Sequence, residues 1–384
     1  MLNGPLENIA EEHLASLVEN QVGERRDLEF KRDVPGGGDD EVREFLADVT
    51  SLANTAGGDL IFGIEEIDGV AGALKGVENA DPDNLILRLE NSLQSNVEPR
   101  LIGVRSHWVP LASGSGCLVL RIPASLAAPH RINFKKTRRF YGRNSRGKYE
   151  MDVDDLRHAF GHSSQLPKRF LEIHETAISA ANGHDMPFSV SAGPTAVVSI
   201  APIGLFREQR SLPVTRDNSV VPFRVSAYSA FDMIEGVLQH SPVDAVDGTV
   251  GSFALTHRTG RLDAAFTIGR VRKDDHDQDN PIVWPSMFEE GLWEMTKALQ
   301  TRMQHHGVEG PWVILASVLG AKGFRLIMGD GYLSDAAFRD RVLLGQIVVE
   351  RVDKTALLPI AQSFWLLFGQ HRPQNLELAA DRRS

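Results

Sequence analysis

One cysteine, Cys117, in 384 residues excludes an intramolecular disulfide and any zinc or iron–sulfur site built from several thiolates. No apolar run reaches the ~20 residues needed to span a bilayer. The nearest, Leu357 to Phe368, contains Pro359 and Gln362, so no membrane association is expected. The opening residues MLNGPLENIAEEHL carry acids and lack an apolar core, unlike a secretory leader, and a cytoplasmic location is expected. A basic excess is also missing. Lys and Arg total 41 against 51 Asp and Glu, a net charge of −10, which argues against a protein that coats nucleic acid non-specifically. There is no fixed-period repeat and no long low-complexity tract. What is present is 42% hydrophobic and 24% charged, ordinary globular proportions, with length for two or three domains at about 100–200 residues each.

Periodicity places the elements. Leu6, Ile9, Leu14, Leu17 and Val18 fall on one side of a short helix. Asp27 to Lys31 alternates as a half-buried strand, with Leu28 and Phe30 inward and Glu29 and Lys31 outward. After Pro35-Gly36-Gly37-Gly38, a helix capped by Asp39 or Asp40 carries Val42, Phe45, Leu46, Val49, Leu52 and Ala53. Gly57-Gly58 stops it, and Asp59 to Ile64 forms a strand. Asp81-Pro82 opens another helix. Strands follow near Leu101–His107, Cys117–Ile122 and Thr137–Arg143, then a helix over Asp152–Phe160. The expected architecture is α+β: a mixed α/β domain over residues 1–162, a linker at Gly161–Pro167, and a second α/β domain of unknown type over 167–370. In the latter, helices are expected at Lys168–Ala181, Ala230–Gln239, Met287–Met303 and Leu357–Phe368. Strands are expected at Thr195–Ile200, Val250–Thr256, Trp312–Leu319 and Leu343–Glu350. Residues 377–384 are expected to fray.

Three segments carry chemistry. Glu24 and Glu29 stand five apart across a bend near Gly23. If the bend brings them together, such a pair holds Mg²⁺ or Mn²⁺ through hard oxygen ligands; the plainer reading is solvated charge on a strand face. Asn54-Thr55-Ala56-Gly57-Gly58-Asp59-Leu60-Ile61-Phe62-Gly63-Ile64-Glu65-Glu66 joins a helix to a strand and ends in two carboxylates beside an Asp68-Gly69 turn; read alone, it is a helix stop. Arg131, Lys135, Lys136, Arg138, Arg139, Arg143, Arg146 and Lys148 follow one another with no acid between them, interleaved with Phe134, Phe140, Tyr141 and Tyr149. In an acidic chain this strip is a candidate for phosphate neutralisation and base stacking, against the plainer reading of a solvated hairpin.

Taken together these segments resemble the Schlafen AlbA-like family, over about residues 22–160. The resemblance rests on an acid five before the Glu of Leu28-Glu29-Phe30-Lys31, the Asn54-Thr55-x-Gly57-Gly58-x-Leu60-x-x-Gly63-Ile64 run with acids after it, and Arg139-Phe140-Tyr141-Gly142-Arg143-Asn144-Ser145 followed by Met151-Asp152. It implies a nucleic-acid-binding module. In nuclease members three carboxylates and a divalent metal cut structured RNA, and their positions fall on Glu24, Glu29 and Glu66 here. The third is commonly Asp in those members, so Glu66 departs by one methylene, and Glu65 is a second candidate. The resemblance thus implies Mg²⁺ or Mn²⁺ held by Glu24, Glu29 and Glu66, metal-assisted hydrolysis of tRNA-like RNA or single-stranded DNA, and Lys31 neutralising the transition state. Lys31 reads equally as a surface ion pair. Arg131, Lys135, Lys136, Arg138, Arg139, Tyr141, Arg143, Arg146 and Lys148 would hold the nucleic acid. The alternative is a non-catalytic regulator whose C-terminal domain binds a ligand or protein.

Gly142 to Tyr149 partly matches a phosphate-binding loop, but Tyr149 stands where the Mg²⁺-ligating hydroxyl belongs, so a basic hairpin end is the better reading. His158 and His162 have metal-ligand spacing, with a helix-terminus interaction the blander account. Asp275 to Asp279 resembles the start of a calcium loop but lacks its glycine and its closing glutamate. The second domain offers no catalytic motif. Its helix 357–368 is apolar almost all round, which demands burial inside the domain or against a partner; a homodimer is one such expectation.

Overall fold

The computed structural model describes residues 2, 4–78, 81–207, 211–273, 277–328, 331–374 and 376–378. Residues Asp275 and His276 of the calcium-like run, and the tail from residue 379, lie outside them. Two compact units emerge: residues 1–166 with 206–208 and 304–311, and the remainder. Both are mixed α+β. No helix among the described residues is long and apolar enough to cross a membrane.

The N-terminal unit is built on a four-stranded sheet. Its strands are β1 (Leu28–Lys31), β2 (Gly57–Phe62), β6 (Arg105–Pro110) and β7 (Gly116–Pro123), in the order β1-β2-β7-β6. Strands β3 (Ile64–Ile67) and β4 (Val70–Leu74) form a separate hairpin, and β5 (Val97–Glu98) pairs with β8 (Arg131–Ile132). β1 and β2 are parallel, joined by helix α2 (Asp39–Ala53); the other pairs of the main sheet are antiparallel. Period-two alternation splits the apolar residues between two cores. Leu60, Phe62, Leu118, Leu120 and Ile122 meet α2 and helix α3 (Pro82–Asn96). Leu28, Phe30, Ile61, Cys117 and Val119 meet Leu14 and Leu17 of helix α1 (Glu11–Glu19). Asp81 caps α3 by accepting from the Asn84 amide at 3.0 Å.

The glycine pair does more than end α2. Gly57 has φ +76, and a Cβ there would lie 2.6 Å from the Ile122 carbonyl oxygen. A Cβ on Gly58 would lie 2.5 Å from the Asp27 oxygen. Only hydrogen fits between these backbones. Gly57 therefore sets the main-chain spacing of β2 against β7, and Gly58 that of β2 against the residue entering β1.

Strands β9 (Tyr141–Asn144) and β10 (Gly147–Glu150) form a hairpin. Gly147 at φ +106 and the Asn144 side chain, which accepts from the Arg146 amide at 2.8 Å, shape its turn. The partial phosphate-loop match is thus a hairpin end. Helix α4 runs from Val153 to Ala181. It passes through Gly161–Pro167, so the expected linker is helical. Pro167 leaves the Ser163 carbonyl without its i+4 donor, while Ser164 Oγ donates to the Gly161 carbonyl at 2.8 Å.

The second unit holds a seven-stranded antiparallel sheet. It consists of β11 (Thr195–Pro202), β12 (Ser229–Asp232), β13 (Gly236–His240), β14 (Ser252–His257), β15 (Leu262–Thr267), β18 (Trp312–Leu319) and β21 (Val342–Val349). Their order is β12-β13-β14-β15-β11-β18-β21. A four-stranded sheet adds β16 (Gly269–Lys273), β17 (Asp279–Val283), β19 (Arg325–Ile327) and β20 (Leu333–Ala336). Helices α5 (Pro285–His305) and α6 (Leu358–Leu366) contribute Phe288 and Phe364, whose rings stack with centroids 4.1 Å apart. This answers the all-round apolarity of 357–368 by interior burial. The helix expected at Ala230–Gln239 is instead the β12–β13 hairpin. A Cβ at Gly236 would lie 2.0 Å from the Thr256 oxygen. The close pairing of β13 with β14 decides the local conformation over helical spacing.

Candidate nucleic-acid interface

β1 brings Glu29 and Lys31 to the end of the sheet beside α2. Glu29 was expected to face solvent, yet it is only 7% exposed. The reason lies far along the chain. Arg143 on β9, 2% exposed, donates from Nη2 to Glu29 Oε2 at 2.5 Å. Lys31 Nζ sits 2.9 Å from Glu29 Oε1. Burial alone would raise the Glu29 carboxyl; Arg143 and Lys31 outweigh it and hold it below the usual carboxylate range.

The charges continue into α2. Lys31 lies 3.6 Å from Asp48 and 3.8 Å from Glu44. Lys148 on β10 reaches both carboxylates at 2.7 Å. Burial pushes Asp48 up despite Lys148 and Lys31. Burial would lower Lys31, but Asp48, Glu29 and Glu44 raise it. The result is an alternating buried network, Arg143–Glu29–Lys31–Asp48–Lys148, that joins β1, α2 and the hairpin.

Glu24 lies next to this network. Its Oε1 accepts from the Phe30 amide at 2.9 Å. Desolvation, with Glu29 and Glu66 adding repulsion, raises it from 4.5 to about 7. Glu66 Oε1 accepts from the Gly69 amide at 2.9 Å and fastens the Asp68-Gly69 turn. Glu65 turns instead to Arg32 at 3.6 Å and Lys75 at 3.7 Å. Glu24 therefore feels both Glu29 and Glu66. A divalent metal, however, needs carboxylate oxygens not already committed to cations. Both oxygens of Glu29 are taken, and among the described residues no group of three or more His, Cys, Asp or Glu is placed to hold a metal ion. As arranged, the trio does not fit Mg²⁺ or Mn²⁺.

The strip is also less bare than its sequence. Arg131 pairs with Glu98, Lys135 with Asp39, and Arg139 with Glu150; Arg143 and Lys148 belong to the network above. Arg138 Nη1 donates to the Lys135 and Thr137 carbonyls and, like exposed Lys136 and Arg146, has no carboxylate partner among the described residues. The aromatics mostly face inward. Phe134 and Tyr141 pack against the core, and Phe140 meets Phe160 edge-on with centroids 6.0 Å apart. Tyr141 is thus positioned by its ring rather than offered for stacking.

Several residues escaped sequence reasoning. Asn54 Nδ2 donates to the His130 and Tyr141 carbonyls at 2.9 Å each, and its Oδ1 accepts from the His130 amide at 2.6 Å. Thr55 Oγ1 accepts from the Arg143 amide at 3.1 Å. The Asn-Thr before the glycine pair therefore anchors both ends of the basic strip. A polar pair directly after an apolar helix was the available signal. Asp48, a buried acid within the apolar stripe of α2, was another.

Residues 24–152 match the family model described as Schlafen, AlbA_2. No curated protein matches the chain. Among solved structures, a protein from Corynebacterium diphtheriae is 20% identical, covering 37% of this chain and 27% of its own, with a TM-score of 0.25. The N-terminal domain of a RecG-related protein from Nitrosomonas europaea is also 20% identical, covering 35% of this chain and 92% of its own, with a TM-score of 0.25. The chain thus spans about a quarter of the first structure's length.

Proposed function

We propose, from a Schlafen AlbA_2 match over residues 24–152, that the N-terminal unit binds nucleic acid through its phosphates and does not hydrolyse it. The observation that carries this reading is the sorting of the cations. Arg143, Lys31 and Lys148 are committed to buried carboxylates and build the scaffold. Lys136, Arg138 and Arg146 stand on the same segment without carboxylate partners among the described residues and are available to phosphates. With few rings offered, contact is to the backbone and carries little sequence information.

The expected salt dependence follows. Each phosphate neutralised on a single strand contributes a slope of about −0.7 in log K against log salt, so three contacts give about −2. Fluorescence anisotropy with labelled single-stranded RNA and DNA measures it. Lys136→Gln and Arg146→Gln together are expected to reduce the slope to about −0.7. An affinity indifferent to salt, or to both substitutions, overturns the assignment.

Metal-dependent cleavage is the second reading. It is favoured by the raised proton affinity of Glu24 beside Glu29 and Glu66. Incubation of labelled tRNA with Mn²⁺ or EDTA separates the two. Binding without cleavage is expected; Mn²⁺-dependent cleavage lost in Glu66→Gln would establish the nuclease instead.

A further inference from the structure

The N-terminal unit contains a cleft of about 510 Å³ whose walls include Thr55, Arg143 and Tyr149, the first half of α4, and Arg207. We propose that this cleft binds a phosphomonoester carried by a nucleotide. The choice of phosphate among oxyanions rests on the nucleic-acid reading above.

The argument starts from donors without acceptors. Arg143 gives Nη2 to Glu29, yet its Nε and Nη1 are buried with no hydrogen-bond partner among the described residues. Arg207 donates from Nη2 to the Ser125 carbonyl at 2.8 Å and to Ser163 Oγ at 3.0 Å, while its Nε is buried without a partner among the described residues. No carboxylate among the described residues pairs with Arg207, and desolvation pulls it down to about 10. A buried N–H with no acceptor costs about 1–3 kcal/mol, and several of them on residues that line one cleft call for an acceptor there. Arginine matches phosphate oxygens with paired N–H donors.

Paired arginine donors suit an ester with several terminal oxygens. Arg143 and Arg207, both on the cleft wall, hold three buried nitrogens without a hydrogen-bond partner among the described residues, two on Arg143 and one on Arg207. A monoester presents three terminal oxygens; a diester inside a chain presents two. Asp155 is the one carboxylate on the wall; of the arginines there, Arg143 is paired with Glu29 and Arg157 with Asp154, while Arg207 meets no carboxylate among the described residues, so its charge is the one an anion would meet. Ligand pockets for small molecules run to about 300–1,000 Å³, and this volume admits a mononucleotide. The same chemistry arises from a free nucleotide or from the phosphorylated end of a strand.

Calorimetry on the full chain with uridine 5′-monophosphate, uridine and inorganic phosphate tests the site. The monophosphate is expected to bind at least tenfold more tightly than uridine. Arg207→Gln is expected to abolish that difference; because it also gives up the bonds to the Ser125 carbonyl and Ser163 Oγ, a melting curve checks that the fold is kept. Arg207→Lys retains the charge and is expected to restore part of the difference. Equal binding of nucleotide and nucleoside, or an advantage that survives Arg207→Gln, overturns the proposal. Paired 5′-phosphorylated and 5′-hydroxyl oligonucleotides identify the source. A tenfold preference for the phosphorylated strand assigns the site to chain ends; no preference, with the mononucleotide still bound, assigns it to free nucleotide. A 5′-hydroxyl strand that binds through Lys136 and Arg146 while the monophosphate does not bind leaves the nucleic-acid reading standing and removes this one.

Discussion

Replacing Glu29 by alanine removes the anion at the centre of the buried network. Breaking a buried ion pair from one side costs about 3–5 kcal/mol. The structure places the cost mainly on Arg143. Its guanidinium would keep one 3.3 Å bond to the Arg25 carbonyl, with Nε and Nη1 already unpartnered. Lys31 suffers less, since its side chain is 32% exposed and retains Asp48 and Glu44 nearby. The lower end, about 3 kcal/mol, is therefore expected. In a unit of this size 1 kcal/mol moves the melting temperature by about 2–4 °C, so a fall of about 6–12 °C follows. Hydrogen-exchange mass spectrometry of peptides from β1 and α2 reads this unit separately from its neighbour. Lys136→Ala, on the exposed strip, is the control and is expected within about 0.5 kcal/mol of wild type. A double substitution, Glu29→Leu with Arg143→Met, removes both charges and is expected to recover much of the loss. Were Glu29→Ala as stable as the control, the buried network would not hold the hairpin to the sheet, and the reasoning would fail.

Glu24 predicts a pH effect. Its folded pKa of about 7 lies above the ordinary 4.5, so the folded state holds the proton more tightly and stability falls as pH rises through that window. Glu24→Gln is expected to flatten this limb in urea midpoints taken between those values. His174 acts in the opposite sense. Ser199 Oγ donates to Asp263 Oδ1 at 2.8 Å, so His174 Nδ1 donates to Ser199 and its Nε2 accepts from Ser317. Burial lowers His174 from 6.5 to about 4. The stability this contributes is present above pH 6.5 and lost as pH falls toward 4, and tryptophan fluorescence in urea should show a shallower acid limb in His174→Gln. Arg372→Ala leaves buried Glu289 with Trp365 Nε1 as its remaining side-chain partner; about 3 kcal/mol of stability should be lost in the same assay, and an unchanged midpoint would show the pair to be idle.

Local pattern was enough for β1, α2 and α3, because Leu28, Phe30, Phe45, Leu85 and Leu89 face cores that their own spacing defines. It failed where the deciding partner is remote. Glu29 looked outward because alternation counts only neighbours, whereas Arg143 lies 114 residues away. The basic strip looked bare because Glu98, Asp39, Glu44 and Asp48, which neutralise it, come from earlier elements. Arg207 carried no motif and reaches the cleft through tertiary folding alone. The Gly161–Pro167 stretch, read as a linker on composition, is helical, and the division between the two units falls within it, after Leu166.

The Gly57-Gly58 contact gives the charged network an unusual dependency. The ions are held in register by a gap between two backbones that is too narrow for a methyl group. A survey that swaps or neutralises charges one at a time would test every partner in turn and leave their common support untouched. A methyl group at position 58 alters no charge and no hydrogen-bonding group. It would nevertheless push β1 away as a body, carrying Glu29 and Lys31 out of reach of Arg143 and Asp48 together. The electrostatics of this unit are thus most exposed to a change that is itself electrically silent.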